Sequence, residues 1–167
     1  MKKYDNNEFY NIINPILQNE EFLKLKKIAH HGITRFDHSM RVAYYTYIIT
    51  KGMNLNYKEA TIAALLHDFF IDEVKEMKSL SRLRKHPSYA LENAKKYYEL
   101  SDMQEDIIIR HMFPITLTPP RYLESWIVDI IDDIAAFYEK GLSTKKELSA
   151  ANTFLFLLII QYLKVRL

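Results

Sequence analysis

The stretch Ala60-Thr61-Ile62-Ala63-Ala64-Leu65-Leu66 is an apolar helical run that ends directly in His67-Asp68 and then continues as Phe69-Phe70. A run of that kind has to be buried, and it carries an imidazole and a carboxylate inward with it. Unpaired, such groups cost several kcal/mol in an apolar interior. The fold must therefore bring hydrogen-bond partners or a metal ion to this point. Neighbouring residues on a regular helix point about 100° apart. His67 and Asp68 can meet one partner only at a helix end or a local distortion, with side chains from elsewhere in the chain converging on them.

The rest of the chain reads as a series of helices. Phe9, Ile12, Ile13, Ile16 and Leu17, then Phe22, Leu23, Leu25 and Ile28, predict two short helices within residues 8–28, broken near Asn19. Gly32 marks a stop, and Thr34 caps a helix over residues 35–53 on which His38, Arg41, Val42 and Tyr45 share a face. Asn56 and Glu59 read as a capping box for the run that reaches His67. Residues 71–85 are strongly charged. They form a solvated loop or short helix, or they carry Arg82, Arg84 or Lys85 over the site to meet a phosphate group. His86-Pro87 predicts the start of a helix with Pro87 at its first position, and Ser101 caps another that stops at His111.

Pro114, Pro119 and Pro120 make residues 113–121 an extended connector. Residues 122–138 are apolar on nearly every side, which predicts a central helix. It carries Asp129, Asp132 and Asp133, and ionised carboxylates in that setting need cations or donors. Gly141 closes it, and residues 147–167 predict a final helix. Its unbroken apolar segment, residues 154–160, is far shorter than the roughly 20 residues a membrane span needs. That segment is a core helix, a homo-oligomer interface or a membrane-surface contact. No stretch alternates like a half-buried strand and no internal repeat is present, so the fold class is all-α.

Composition narrows the function. A formal net charge of +2 gives no electrostatic case for nucleic acid as the main partner. With 3 Gly in the chain, a Gly-rich phosphate loop of the Rossmann or P-loop type is excluded. Cysteine is absent, so no disulfide forms, which suits a reducing cytoplasm. The polar N-terminus lacks the long apolar region of a secretion signal. Any metal is held by His, Asp or Glu, a donor set suited to Fe, Mn, Zn, Ni or Mg.

Collected in order, His38-Ser39-Met40-Arg41-Val42-Ala43, Leu65-Leu66-His67-Asp68, His86-Pro87, Ile109-Arg110-His111 and Ile131-Asp132-Asp133-Ile134 resemble the HD-domain superfamily of metal-dependent phosphohydrolases. The resemblance implies a single helical bundle over residues 34–140, with N-terminal helices (1–33) packed on it and an additional C-terminal helix (141–167) in the same unit. It implies His38, His67, Asp68 and Asp132 as metal ligands, with Asp132 favoured over Asp129 by the alignment of Ile134-Ala135-Ala136. His86 and His111 match members that hold two metals, including HD-GYP phosphodiesterases and bacterial diadenosine tetraphosphate hydrolases. In these the signature aspartate, here Asp68, bridges the ions.

The implied cofactor is one or two divalent ions, Fe or Mn first, with Ni, Co, Zn or Mg as alternatives. Two such ions about 3.5–4 Å apart activate a shared water and clamp phosphoryl oxygens. Asp68 and His67 are the implied catalytic pair, and Arg41, Arg84 and Lys85 the candidates for substrate phosphate. Neutral imidazole ligands imply activity that falls at acid pH. Two departures stand out. Asp133 takes the place of the lysine that follows the aspartate in many members. Ile71 takes the place of the lysine three residues after the signature, which, with no Gly-Tyr-Pro motif, points away from cyclic-di-GMP.

The leading expectation is a phosphohydrolase acting on a nucleotide or related small phosphate ester. A non-catalytic metal- or nucleotide-binding sensor and a purely structural α-domain are the competing readings.

Overall fold

In a computed structural model the described residues are 6–30, 32–71 and 79–143, with no side-chain description for residues 79, 80, 82, 142 and 143. The elements are α1 (Asn7–Leu17), α2 (Glu20–Leu23), a 3-10 turn (Lys24–Lys27), β1 (Ala29–His30), β2 (Ile33–Thr34), α3 (Arg35–Gly52), α4 (Tyr57–Leu66), α5 (Ser79–Lys95), α6 (Asp102–Arg110) and α7 (Leu123–Ser143). The predicted final helix over residues 147–167 lies outside the described residues, as does the segment 72–78.

The chain is all-α apart from a two-residue antiparallel hairpin, with Ala29 opposite Thr34 and His30 opposite Ile33. Gly32 belongs to the turn of that hairpin and not to a helix end. Its φ of 87° lies in the left-handed region that a side chain disfavours. Thr34 leaves the hairpin and caps α3, its hydroxyl oxygen accepting from the Asp37 amide at 3.0 Å.

The core is a single apolar cluster. α1 and the residues after it contribute Phe9, Ile13, Ile16, Phe22 and Leu25 to the same cluster as Val42 and Tyr47 of α3, Ala63 to Leu66 of α4, Ile107 and Ile108 of α6, and Val128 and Ile131 of α7. α3 packs on both α4 and α7, and these three helices frame the core among the described residues.

A polar clasp holds α1 to this frame. The Glu8 carboxylate accepts from the hydroxyls of Tyr47 and Tyr57, each at 2.8 Å, and pairs with Lys51. The Lys51 ammonium and the two phenols lower the Glu8 pKa to about 2. Between about 4.5, where the unfolded chain takes the proton, and about 2, where the folded chain does, the unfolded state binds more protons. The clasp's contribution is therefore full above that window and is lost as pH falls through it. Glu8→Gln is expected to lower the urea midpoint near neutral pH and to match the wild type near pH 2, checked by urea titration across that range. An equal deficit at both ends would refute the assignment.

Three further local expectations are corrected. α5 begins at Ser79, so Pro87 lies inside it and His86 is not at its first turn. α4 carries no Asn56 side-chain cap. That side chain turns to Glu59 at 2.7 Å, and Glu59 reaches the Ser101 hydroxyl instead. α7 is not covered on all sides by the described residues. Leu123, Ile130 and Phe137, seven residues apart and so on one stripe, are exposed with Trp126. The opposite face carries Val128, Ile131, Asp132, Ala135 and Glu139 inward. Its apolar composition reflects two apolar faces, one turned to the core and one away from it.

Candidate metal centre

α4 stops at Leu66, and His67 and Asp68 occupy the turn beyond it. No Gly or Pro breaks the helix there. The Ala64 carbonyl, which a continuing helix would give to the Asp68 amide, instead accepts from His67 Nδ1 at 2.7 Å. Asn93 of α5 donates to the Phe69 carbonyl at 3.1 Å, and Arg35 of α3 donates to the Phe70 carbonyl at 2.7 Å. The turn is thus tied down from two sides, and the two polar side chains project to the same region.

α6 ends in the same way. His111 follows its last residue, and His111 Nδ1 donates to the Ile108 carbonyl at 2.8 Å. In both histidines the backbone bond takes the Nδ1 proton. Nε2 is therefore left to face the interior. A C-terminal histidine here satisfies an orphan carbonyl and fixes its own tautomer in one step.

These two turns meet α3, α5 and α7. His38 Nε2 is 2.8 Å from Asp132 Oδ1, and His67 Nε2 is 3.4 Å from the same oxygen. His86 Nε2 is 3.3 Å and His111 Nε2 is 3.9 Å from Asp68 Oδ1. His86 and His111 face each other through Nε2 at 2.8 Å. All six side chains are buried.

The ligand-capable atoms fall into overlapping groups, each within 4.8 Å: His38 with His67 and Asp68, His67 with His111 and Asp132, and Asp68 with His86 and His111. Asp68 belongs to two of the groups and joins the α3 side of the cluster to the α5–α6 side. A further group, His30 with His38 and Glu139, adjoins it on the outer side of His38.

Electrostatics suit a cation. His67 Nε2 and Asp68 Oδ1 are buried without a hydrogen-bond partner. Burial opposes ionisation of Asp68, but the neighbouring His86 and His67 hold its carboxyl far below the usual range. Asp132 is likewise kept ionised against burial, by His67 and His38. Burial and the nearby His67 and His86 push His111 down to about 3, so it is a neutral imidazole with a lone pair at Nε2. Against burial, Asp132 and Glu139 raise His38 to about 10, and Asp132 raises His67, so without an ion these imidazoles carry the positive charge that balances the carboxylates. With that charge supplied by a cation instead, these nitrogens and carboxylate oxygens at one volume are the donor set of a hard or borderline divalent ion.

The other expected residues fall elsewhere. Arg41 pairs with the buried carboxylate of Glu139 and lies over the Tyr138 ring, so its guanidinium is engaged on the Nδ1 side of His38, opposite Asp132. Arg84 and Lys85 are exposed on α5, before His86. Asp129 accepts from the Phe113 amide at 3.1 Å and anchors the connector after His111. Burial and the adjacent Asp133 push Asp129 up to about 7. Asp133 itself is exposed.

Two buried residues have no counterpart in the sequence reading. Arg35 lies with Nε 3.7 Å from Asp68 Oδ2 and its guanidinium 3.7 Å over the Phe70 ring. Glu139 accepts from His38 Nδ1 at 2.9 Å. Arg35 stands three positions before His38 on α3, and that same-face spacing was its available signal.

The sequence matches the family model of the HD domain over residues 35–136. The chain belongs to the HD-domain family. The matched span runs from the first residue of α3 into α7, so it includes every one of the six clustered side chains. HD domains bind divalent metals and form a superfamily of metal-dependent phosphohydrolases, and the buried His/Asp groups of this HD domain could hold such an ion. Searches of curated proteins and of solved structures returned no match. Among the described residues no helix is long and apolar enough to cross a membrane.

Proposed function

We propose that this HD-domain protein is a phosphohydrolase with a dinuclear centre that cleaves a small phosphate ester, a nucleotide or a relative of one, in the cytoplasm. The observation that carries the reading is the position of Asp68, whose carboxylate is shared between two ligand-capable groups and has a buried oxygen without a hydrogen bond. His38, His67, Asp68 and Asp132 would hold one ion, and Asp68, His86 and His111 the second. Fe or Mn suits these nitrogen and oxygen donors, with Ni, Co, Zn or Mg as alternatives. The ions supply Lewis acidity that activates water and neutralises phosphoryl charge.

The chain's own groups do the rest. His67 and His111 keep Nε2 aimed inward through their backbone bonds and so need no reorganisation when a cation enters. Asp68, held ionised, supplies the negative charge that balances the centre. Arg35 fixes the turn that carries Asp68 and lies within reach of the same volume. Arg84 and Lys85, exposed on α5 just before His86 in sequence, would draw in an anionic substrate.

The test is phosphate release from a panel of nucleotides, phosphomonoesters and phosphodiesters, each with Mn, Fe(II), Co, Ni, Zn or Mg supplied. Turnover of at least one substrate with at least one ion is expected. Tight nucleotide binding with no turnover under any condition would replace the enzyme by a sensor built on the same centre.

A further inference from the structure

Glu139 lies on α7 two turns beyond Asp132 and past the end of the family match at residue 136. It is 1% exposed, and a buried carboxylate requires donors. It has two: Arg41 at Oε1 and His38 Nδ1 at Oε2, the latter at 2.9 Å. His38 in turn lies with Nε2 2.8 Å from Asp132 Oδ1. The His38 ring therefore stands between two carboxylates of one helix, a residue of α3 clamped at both nitrogens by α7.

The two nitrogens are not equivalent in what surrounds them. The Asp132 side belongs to the ligand cluster with His67 and His111. On the Glu139 side the carboxylate is paired with the Arg41 guanidinium, and His30 adjoins it. A neutral imidazole has one N–H and one lone pair, and the partner of the N–H decides which nitrogen is free to bind a cation. At His67 and His111 a backbone carbonyl settles that choice, but His38 sits in the first turns of α3 and its ring nitrogens face the carboxylates of Glu139 and Asp132 instead.

We infer that Glu139 is a positioning residue for His38: by accepting the Nδ1–H it fixes the tautomer and ring plane that present Nε2 to the metal, while Arg41 pairs with the other Glu139 oxygen and keeps the carboxylate turned toward the ring. The inference rests on the metal-centre reading above. It assigns Arg41 to the scaffold of the centre in place of the substrate phosphate. A carboxylate behind a ligand histidine raises the basicity of the ligand nitrogen, and removing such a partner typically weakens metal binding 10- to 100-fold.

The test has two parts. In the zinc-loaded wild type, nitrogen-15 NMR of the histidine rings is expected to show His38 protonated at Nδ1 with Nε2 coordinated; a proton on Nε2 overturns the inference, and this part needs no variant to fold. Calorimetric titration with Zn²⁺ or Mn²⁺ is expected to give about tenfold weaker binding for Glu139→Gln, which keeps an acceptor, and nearer 100-fold for Glu139→Ala, with unchanged circular dichroism. A residue that only tethered α7 to α3 would lower the melting temperature and leave the ion affinity and the His38 tautomer as they are. Unchanged affinity in folded variants of a protein that binds the ion removes the role of Glu139 alone. A wild type that binds no ion overturns the metal-centre reading itself.

Discussion

Asp68→Asn is expected to reduce phosphate-ester turnover by about 1000-fold or more, on the order of 4 kcal/mol of barrier, while leaving the protein folded. Asparagine has the shape of aspartate, so the turn held by Asn93 and Arg35 keeps its backbone bonds. What changes is charge. Asp68 is the carboxylate common to two ligand groups, and its Oδ1 faces His86 and His111 at 3.3 and 3.9 Å. A neutral amide there leaves Asp132 as the one carboxylate among the four clustered imidazoles and so removes half of the negative charge that draws cations in. It also offers N–H donors where a cation needs lone pairs.

The fold should tolerate the change, at some cost from the lost pairing with His86, His67 and Arg35, because asparagine has the volume of aspartate and the turn's backbone bonds remain. Steady-state phosphate release and a thermal melt, run on the same preparations, check both halves. Turnover within a few-fold of the wild type would remove Asp68 from the chemistry. A collapsed melt would show a structural aspartate instead.

What the sequence made legible was burial in conflict with polarity. His67-Asp68 after an apolar run, His111 after Ile107-Ile108-Ile109, and Asp132 within Ile130-Ile131 all stand where an unpaired polar group is costly, and the fold brings them together with His38 and His86. The tautomers were less visible, since they depend on carbonyls three residues back that become available only because α4 and α6 stop where they do.

Glu139 was hidden for a different reason. It falls within Tyr138-Glu139-Lys140, which reads as a polar helix end, whereas α7 runs on to Ser143 and turns that position inward at the spacing of Asp132. Pro87 misled in the opposite sense, as a start signal inside a helix that begins at Ser79. The stripe of Leu123, Ile130 and Phe137 misled by composition, since apolar residues on every side of α7 predict a covered helix and this face is exposed. Local signals of this kind report which residues want burial. They do not say which helix surfaces the rest of the chain reaches.

Saturating divalent ion is expected to raise the melting temperature by about 10 °C, and a chelator to reverse it. An ion that binds only the folded chain at about 1000 times its dissociation constant stabilises by about 4 kcal/mol. For a domain of this size each kcal/mol moves the midpoint by about 2–4 °C. The ligands are built for this linkage, because no single segment of the unfolded chain carries them: they come from α3, the turn after α4, α5, the end of α6, and α7. The ion-free arrangement also holds His86 and His111 with Nε2 atoms 2.8 Å apart, and burial with neighbouring imidazoles keeps His111 neutral, at about 3. Two ring nitrogens that close can share one proton or one cation, and the cation satisfies Asp68 Oδ1 as well. His111→Asn should therefore cut the ion-induced rise by more than half, measured from its own ion-free midpoint, which falls because the buried ring also satisfies the Ile108 carbonyl. Calorimetric melts with chelator, with Mn²⁺ and with Zn²⁺ measure both. A midpoint that no divalent ion moves would mean that these buried groups are satisfied by one another, and the centre would be a polar core in place of a metal site.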